Sequence, residues 1–140
     1  MAKKINQVNY IIVHCAATPE GKAFTVKDID KWHRANGWRC CGYHYVVHLD
    51  GSVHVGRPEG EVGAHCYGKN STSIGVCYVG GLASDGKTPK DTRTPAQKAA
   101  LLRLLRDLKV RYPDAEIRGH RDFAKKACPS FDATQEYCDL

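Results

Sequence analysis

No segment of the sequence approaches the length of apolar chain needed to cross a bilayer, which excludes a membrane-spanning helix. The apolar run Tyr10-Ile11-Ile12-Val13 is too short for the core of a secretion signal and stops at His14, so synthesis in the cytoplasm is expected. Repeats, low-complexity tracts and Pro/Ser-rich linkers are also missing, and residues 1–140 are therefore read as one domain. No disulfide framework is visible. The seven cysteines are odd in number and irregularly spaced, with Cys40 and Cys41 adjacent, which fits reduced thiols. Local metal motifs of the CxxC or HExxH kind are absent as well. The carboxylates Asp50, Glu59, Glu61 and Asp122 form no marked pair, which counts against a glycosidase, since that chemistry requires two positioned carboxyl groups. Basic residues are not interleaved with aromatics and no nucleic-acid motif occurs, so no nucleic-acid partner is expected.

What is present is enough apolar residue, 42% of 140, to bury a single core. The excess of 21 basic over 15 acidic residues gives a net charge of +6, which favours an anionic partner, although the charges are dispersed. Val8 to Val13 is a β-branched run typical of a buried strand, with His14 at its end. Thr25 followed by Asp28 opens a helix on which Ile29, Trp32 and His33 share a face expected to pack into the core, and Gly37 can stop it. Tyr43 to Leu49 reads as a strand on which Tyr43 and Tyr45 share a face, with His44 and His48 on the other as structural residues. Asp50-Gly51 turns it into a second strand at Ser52 to Val55. His54 has no identifiable partner. Ile74 to Val79 is a further apolar strand ended by Gly80-Gly81, and its Cys77 is expected in the core. Thr94, Pro95 and Gln97 begin the clearest helix, on which Leu101, Leu104, Leu105 and Leu108 recur along one side. Ala115 to Ile117 forms a short strand, and Asp132 with Gln135 caps a brief last helix. The sum is an α/β single domain, a central mixed β-sheet flanked by helices.

Histidines and cysteines at strand ends and in loops are held by the scaffold yet open to solvent. His14, His120 and Cys128 meet that condition. Two neutral imidazoles and a thiolate suit zinc, and three protein ligands leave the fourth tetrahedral position to water. With seven histidines and seven cysteines, spacing alone leaves many other triads open.

Five motifs narrow the choice: Val13-His14-Cys15-Ala16-Ala17-Thr18; Gly42-Tyr43-His44-Tyr45; Val62-Gly63-Ala64-His65; Asn70 with Ser73-Ile74-Gly75-Val76; and Lys126-Ala127-Cys128-Pro129-Ser130-Phe131-Asp132. In this order and spacing they resemble the type 2 N-acetylmuramoyl-L-alanine amidases, above all the short phage "lysozymes" that are amidases, whose fold is shared with the peptidoglycan recognition proteins. The resemblance runs from Val8 to Asp132 and implies zinc held by His14, His120 and Cys128, with Tyr43 and Lys126 as catalytic residues. Recognition-only relatives commonly lack the cysteine ligand, so its presence implies an enzyme. The same resemblance implies that His65 and Asn70 contact substrate from a groove wall. It implies bacterial peptidoglycan as the partner, a monomer, and passage to the wall by lysis, a holin or another export route.

Overall fold

The computed structural model describes residues 3–140. Its centre is β1 (Tyr10–Cys15), whose β-branched residues pair in parallel on both edges, with β5 (Ser73–Tyr78) on one side and β7 (Glu116–Gly119) on the other. A strand so placed is buried on both faces, and Ile11, Ile12 and Val13 are each fully buried. Two small strands, β2 (Thr18–Pro19) and β6 (Gly81–Leu82), form a separate sheet beside the main one. β3 (Tyr45–Val47) continues the main sheet in parallel on the outer edge of β5, and β4 (Val53–Val55) returns antiparallel, giving the order β4-β3-β5-β1-β7. The sheet is therefore mixed. Helices α1 (Val26–Ala35), α2 (Pro95–Arg111) and α3 (Ala133–Glu136) complete the domain. Among the described residues no helix is long and apolar enough to cross a membrane.

Alternation along the strands sorts the sheet into two faces. Ile11, Val13 and Cys15 of β1 and Ile74, Val76 and Tyr78 of β5 join the leucines of α2, Leu101, Leu104, Leu105 and Leu108, in the larger core. The start of α2 is fastened to the sheet by a buried amide. Gln97 closes the capping box by accepting from Thr94 N–H, and its Nε2 donates to the carbonyls of Val79 at 2.9 Å and Val47 at 3.3 Å. The residues facing the other way, Ile12, His14, Gly75 and Cys77, lie on the side of α1, whose Ile29 packs with Cys41, Val46 and Val79.

Several expected elements differ in detail. The strand read from Tyr43 begins only at Tyr45, because the preceding backbone leaves the strand path: His44 N–H bonds to the Gly75 carbonyl and Arg57 N–H to that of Tyr43. Tyr43 and Tyr45 consequently do not share a face. Tyr45 packs against the larger core and bonds Glu59, whereas Tyr43 joins the smaller one. Trp32 and His33 are not core residues of α1 either. Trp32 is 39% exposed against Phe24, and His33 lies between Trp38 and Tyr43 with its Nδ1 accepting from Gly42 N–H at 2.8 Å. His54 does have partners, stacking on His48 at 3.9 Å and meeting Ser52 Oγ at 2.9 Å. The β2–β6 sheet carries no sequence pattern, being two residues wide.

Three histidines outside the ligand set share one chemical demand. His33 Nδ1, His44 Nδ1 and His48 Nε2 each accept a backbone N–H, from Gly42, Gly75 and Val26 respectively, and a nitrogen that accepts cannot carry a proton. Burial pushes all three below the ordinary histidine value of 6.5. The unfolded chain therefore takes up protons first as pH falls. Their contribution is present above about pH 6.5 and is lost as pH drops toward the folded values. Urea unfolding of metal-free protein tests this. Between pH 6.5 and 5 its midpoint should fall as the pH drops. A midpoint unchanged over that interval would contradict this account.

Candidate metal centre

Register brings the first two candidate ligands together. Val13 of β1 pairs with Gly119 of β7, so the residues that follow, His14 and His120, stand side by side at the carboxyl ends of adjacent parallel strands. That end of an open sheet is where such folds bind ligands. The two rings lie 4.5 Å apart, centroid to centroid. Cys128 arrives from the segment after β7, which is pinned by Arg121 N–H on the Cys128 carbonyl, Tyr78 Oη–H on that of Pro129, and Ser130 Oγ–H on that of Gly81. Its sulfur stands 3.8 Å from His14 Nδ1 and accepts Cys15 N–H at 3.2 Å.

One ligand atom from each of His14, His120 and Cys128 falls within 4.8 Å of the others. Tetrahedral zinc with bonds of roughly 2.1–2.3 Å requires ligand atoms about 3.4–3.8 Å apart, so the set can close on an ion with small adjustments. Protonation favours this. Burial, then the neighbours His65, His120 and Lys126, hold His14 well below the usual value, and burial followed by Lys126 lowers His120, so both imidazoles are neutral. The nearby Cys15 sulfur and burial push the Cys128 thiol up, and loading a metal there must expel its proton.

A groove of about 500 Å³ opens over this corner, lined by His120 and Lys126 on one side and by Trp38, His65, Tyr67 and Asn70 on the other. His14 itself is fully buried beneath it. Lys126 is exposed at the rim. Tyr43 sits against His14 with ring centroids 5.1 Å apart, and burial raises its phenol well above 10, which keeps the O–H intact at neutral pH. His65 and Asn70 share the groove wall but are largely engaged within the protein. Asn70 Oδ1 accepts the N–H groups of His65 and Cys66 at 2.8 and 2.9 Å. The His65 ring is only 8% exposed, with Nδ1 2.9 Å from His14 Nε2 and Nε2 3.2 Å from Ser73 Oγ. Burial, then His44 and His120, drop it to about 3, so it is neutral with a single ring proton.

Sequence reasoning did not single out Trp38 and Tyr67 on the groove, and it placed Ser73 and Gly75 in a motif without giving either a role. Tyr67 is 99% exposed, a large ring left in water beside the candidate site, which only the structure reveals.

The mixed central sheet flanked by helices is that of the amidase and peptidoglycan-recognition fold. The chain belongs to the N-acetylmuramoyl-L-alanine amidase family, whose model matches residues 4–131. It is similar to the endolysin of Klebsiella phage KP32, 46% identical over 129 residues, covering 92% of this chain and 85% of the relative. Among solved structures it resembles the N-acetylmuramoyl-L-alanine amidase LysC of Clostridium intestinale, with a TM-score of 0.79 and 29% identity, covering 93% of this chain and 81% of that one. Drosophila PGRP-LB, 21% identical, shares the fold with a TM-score of 0.82 over 100% of this chain and 85% of its own.

Gly75 lies on the same face of the sheet as His14, and a Cβ there would sit 2.6 Å from His65 Cγ. Gly75→Ala should therefore overpack the floor of the site and lower stability by about 1–3 kcal/mol. The urea midpoint measures this, and a value equal to that of the unsubstituted protein would show that the ring is not tightly held.

Proposed function

We propose that this chain hydrolyses the amide bond between N-acetylmuramic acid and L-alanine of bacterial peptidoglycan with a zinc ion held by His14, His120 and Cys128. The observation that carries the reading is the convergence of two neutral imidazoles and a thiol on one point beside an open groove that His120 lines. Two nitrogens and a sulfur are a zinc donor set, and three protein ligands are the number a catalytic rather than a structural zinc site uses. When bound, zinc supplies the Lewis acidity that activates water and polarises an amide carbonyl.

The remaining steps fall to the chain itself. Lys126 brings a cation to the groove rim, where it stabilises the oxyanion that develops as the carbonyl is attacked. Tyr43, kept protonated by burial, holds a proton beside His14 and can share it with the same oxygen. Asn70 fixes the loop that forms the groove wall, and its Nδ2 and the exposed edge of His65 are the parts of that wall available to the stem peptide. The basic surface suits an anionic wall polymer, and the chain acts as a monomer.

Metal content gives the first test. Purified protein should hold one zinc per chain, lose activity to a chelator and regain it with zinc. Cys128→Ala should empty the site, while Cys77→Ala, a buried residue of β5 outside the ligand set, should not. Full occupancy in Cys128→Ala would remove that ligand. The second test asks which bond breaks. Digestion of purified peptidoglycan should release free N-terminal alanine in a chelator-sensitive way without new reducing sugar ends. Tyr43→Phe and Lys126→Ala should keep zinc and wall binding but lower kcat by about 10²–10³-fold, as expected for groups that act on the transition state. Reducing ends without alanine amines would mean a glycosidase, and binding without either product would mean a recognition module.

A further inference from the structure

His14 differs from the other histidine of the ligand set in what surrounds its second nitrogen. His120 faces the groove, and among the described residues its ring makes no hydrogen bond. His14 is fully buried with Nε2 turned away from Cys128 and 2.9 Å from His65 Nδ1. Which of these two nitrogens carries a proton decides whether His14 can be a ligand at all. A proton on Nδ1 would occupy the lone pair that points toward Cys128 and His120.

The answer can be read outward from an atom whose role is unambiguous. The Lys69 carbonyl oxygen can only accept, so Ser73, 2.7 Å away, donates its Oγ–H to it. With its proton committed, Ser73 Oγ accepts from His65 Nε2–H at 3.2 Å. A neutral His65 has only that one proton, so its Nδ1 is an acceptor. His14 must then donate from Nε2, which leaves the Nδ1 lone pair free on the side of Cys128. Each assignment forces the next.

The seat of the relay is built to match. The His65 ring stands edge-on to His14 at 88° with centroids 4.9 Å apart. It fits between two glycines: a Cβ on Gly63 would lie 2.7 Å from His65 Cδ2, and one on Gly75 2.6 Å from Cγ. Its backbone N–H is anchored on Asn70 Oδ1 and its far nitrogen on Ser73, which is fully buried. Ligand histidines depend on such a partner for ring orientation and tautomer, and losing it costs about 10–100-fold in metal affinity.

We propose that His65 is a positioning residue of the metal centre, accepting the Nε2 proton of His14 and thereby presenting His14 Nδ1 to the ion, with Ser73 and the Lys69 carbonyl setting the direction of the chain. This rests on the zinc reading above.

The test separates hydrogen bonding from space filling and needs no turnover. Zinc affinity is measured by competition with a chromophoric chelator for the wild-type chain, His65→Leu and His65→Asn. The Asn Oδ1 falls where His65 Nδ1 stood. His65→Leu should bind zinc about 10–100-fold more weakly, and His65→Asn should recover most of that loss. In parallel, long-range ¹H–¹⁵N NMR of the zinc-loaded wild-type protein should show His14 protonated at Nε2, a result that stands even if the leucine variant folds poorly. Wild-type affinity in His65→Leu, equal losses in Leu and Asn, or His14 protonated at Nδ1 would overturn the assignment while leaving the zinc reading in place. A wild-type chain that takes up no zinc would overturn both.

Discussion

Strand β1 has parallel partners on both edges and packed layers on both faces, and everything functional in the protein is referenced to it. Because side chains alternate, a slip of one residue would send His14 to the leucines of α2 and bring Val13 or Cys15 into the site. The core resists that exchange with apolar burial on one side and a polar layer on the other. The same register that satisfies the backbone ladder sets His14 level with His120 and, across the other edge, opposite Cys77. Packing and the candidate chemistry are therefore one constraint, since the residues that lock the register are neighbours of those that converge on the site.

The layer under the groove is unusual for a protein core in being built from imidazoles. His65 lies within ring-to-ring reach of both His14 and His44, and each of the three has its nitrogens committed or turned to a defined partner. Buried polar groups are tolerated when all are satisfied, and a satisfied network specifies one arrangement more sharply than an apolar core does. His44 shows how. Its Nε2–H donates to the Glu61 carbonyl and its Nδ1 accepts Gly75 N–H, tying the loop after β4 to the middle of β5 just where the His65 ring must fit. The glycines at 63 and 75 are the spatial counterpart of these bonds, holding open the volume that the ring fills.

Much of this was legible in the chain, for reasons that differ by element. β1 and α2 could be read directly, one from an unbroken β-branched run and the other from a capping box followed by leucines at helical spacing. The start of β3 could not. Tyr43 and His44 have the composition of a strand, but long-range bonds to Gly75 and Arg57 take the backbone out of it, and no local pattern announces them. Trp32 and His33 have the spacing of a buried face, yet α1 packs on the smaller core through Ile29 and Val26. The triad of His14, His120 and Cys128 comes from three places far apart in sequence, so its residues could be picked out only by resemblance, and the geometry that unites them belongs to the fold. The link from His65 to His14 spans 51 residues and depends on an absent side chain at Gly75, a kind of information that a residue-by-residue reading does not contain.

The Cys128 sulfur accepts a hydrogen bond from the main-chain N–H of Cys15. A thiolate's charge, and with it the electrophilicity of any ion it holds, is moderated by such donors. Here the donor is a peptide N–H fixed at the end of the central strand. Only proline at position 15 would remove that donor, while the Cys15 sulfur is a separate neighbour that acts on the Cys128 thiol. The main-chain part of this sulfur's setting is inherited through topology, since a chain that keeps the strand keeps the donor.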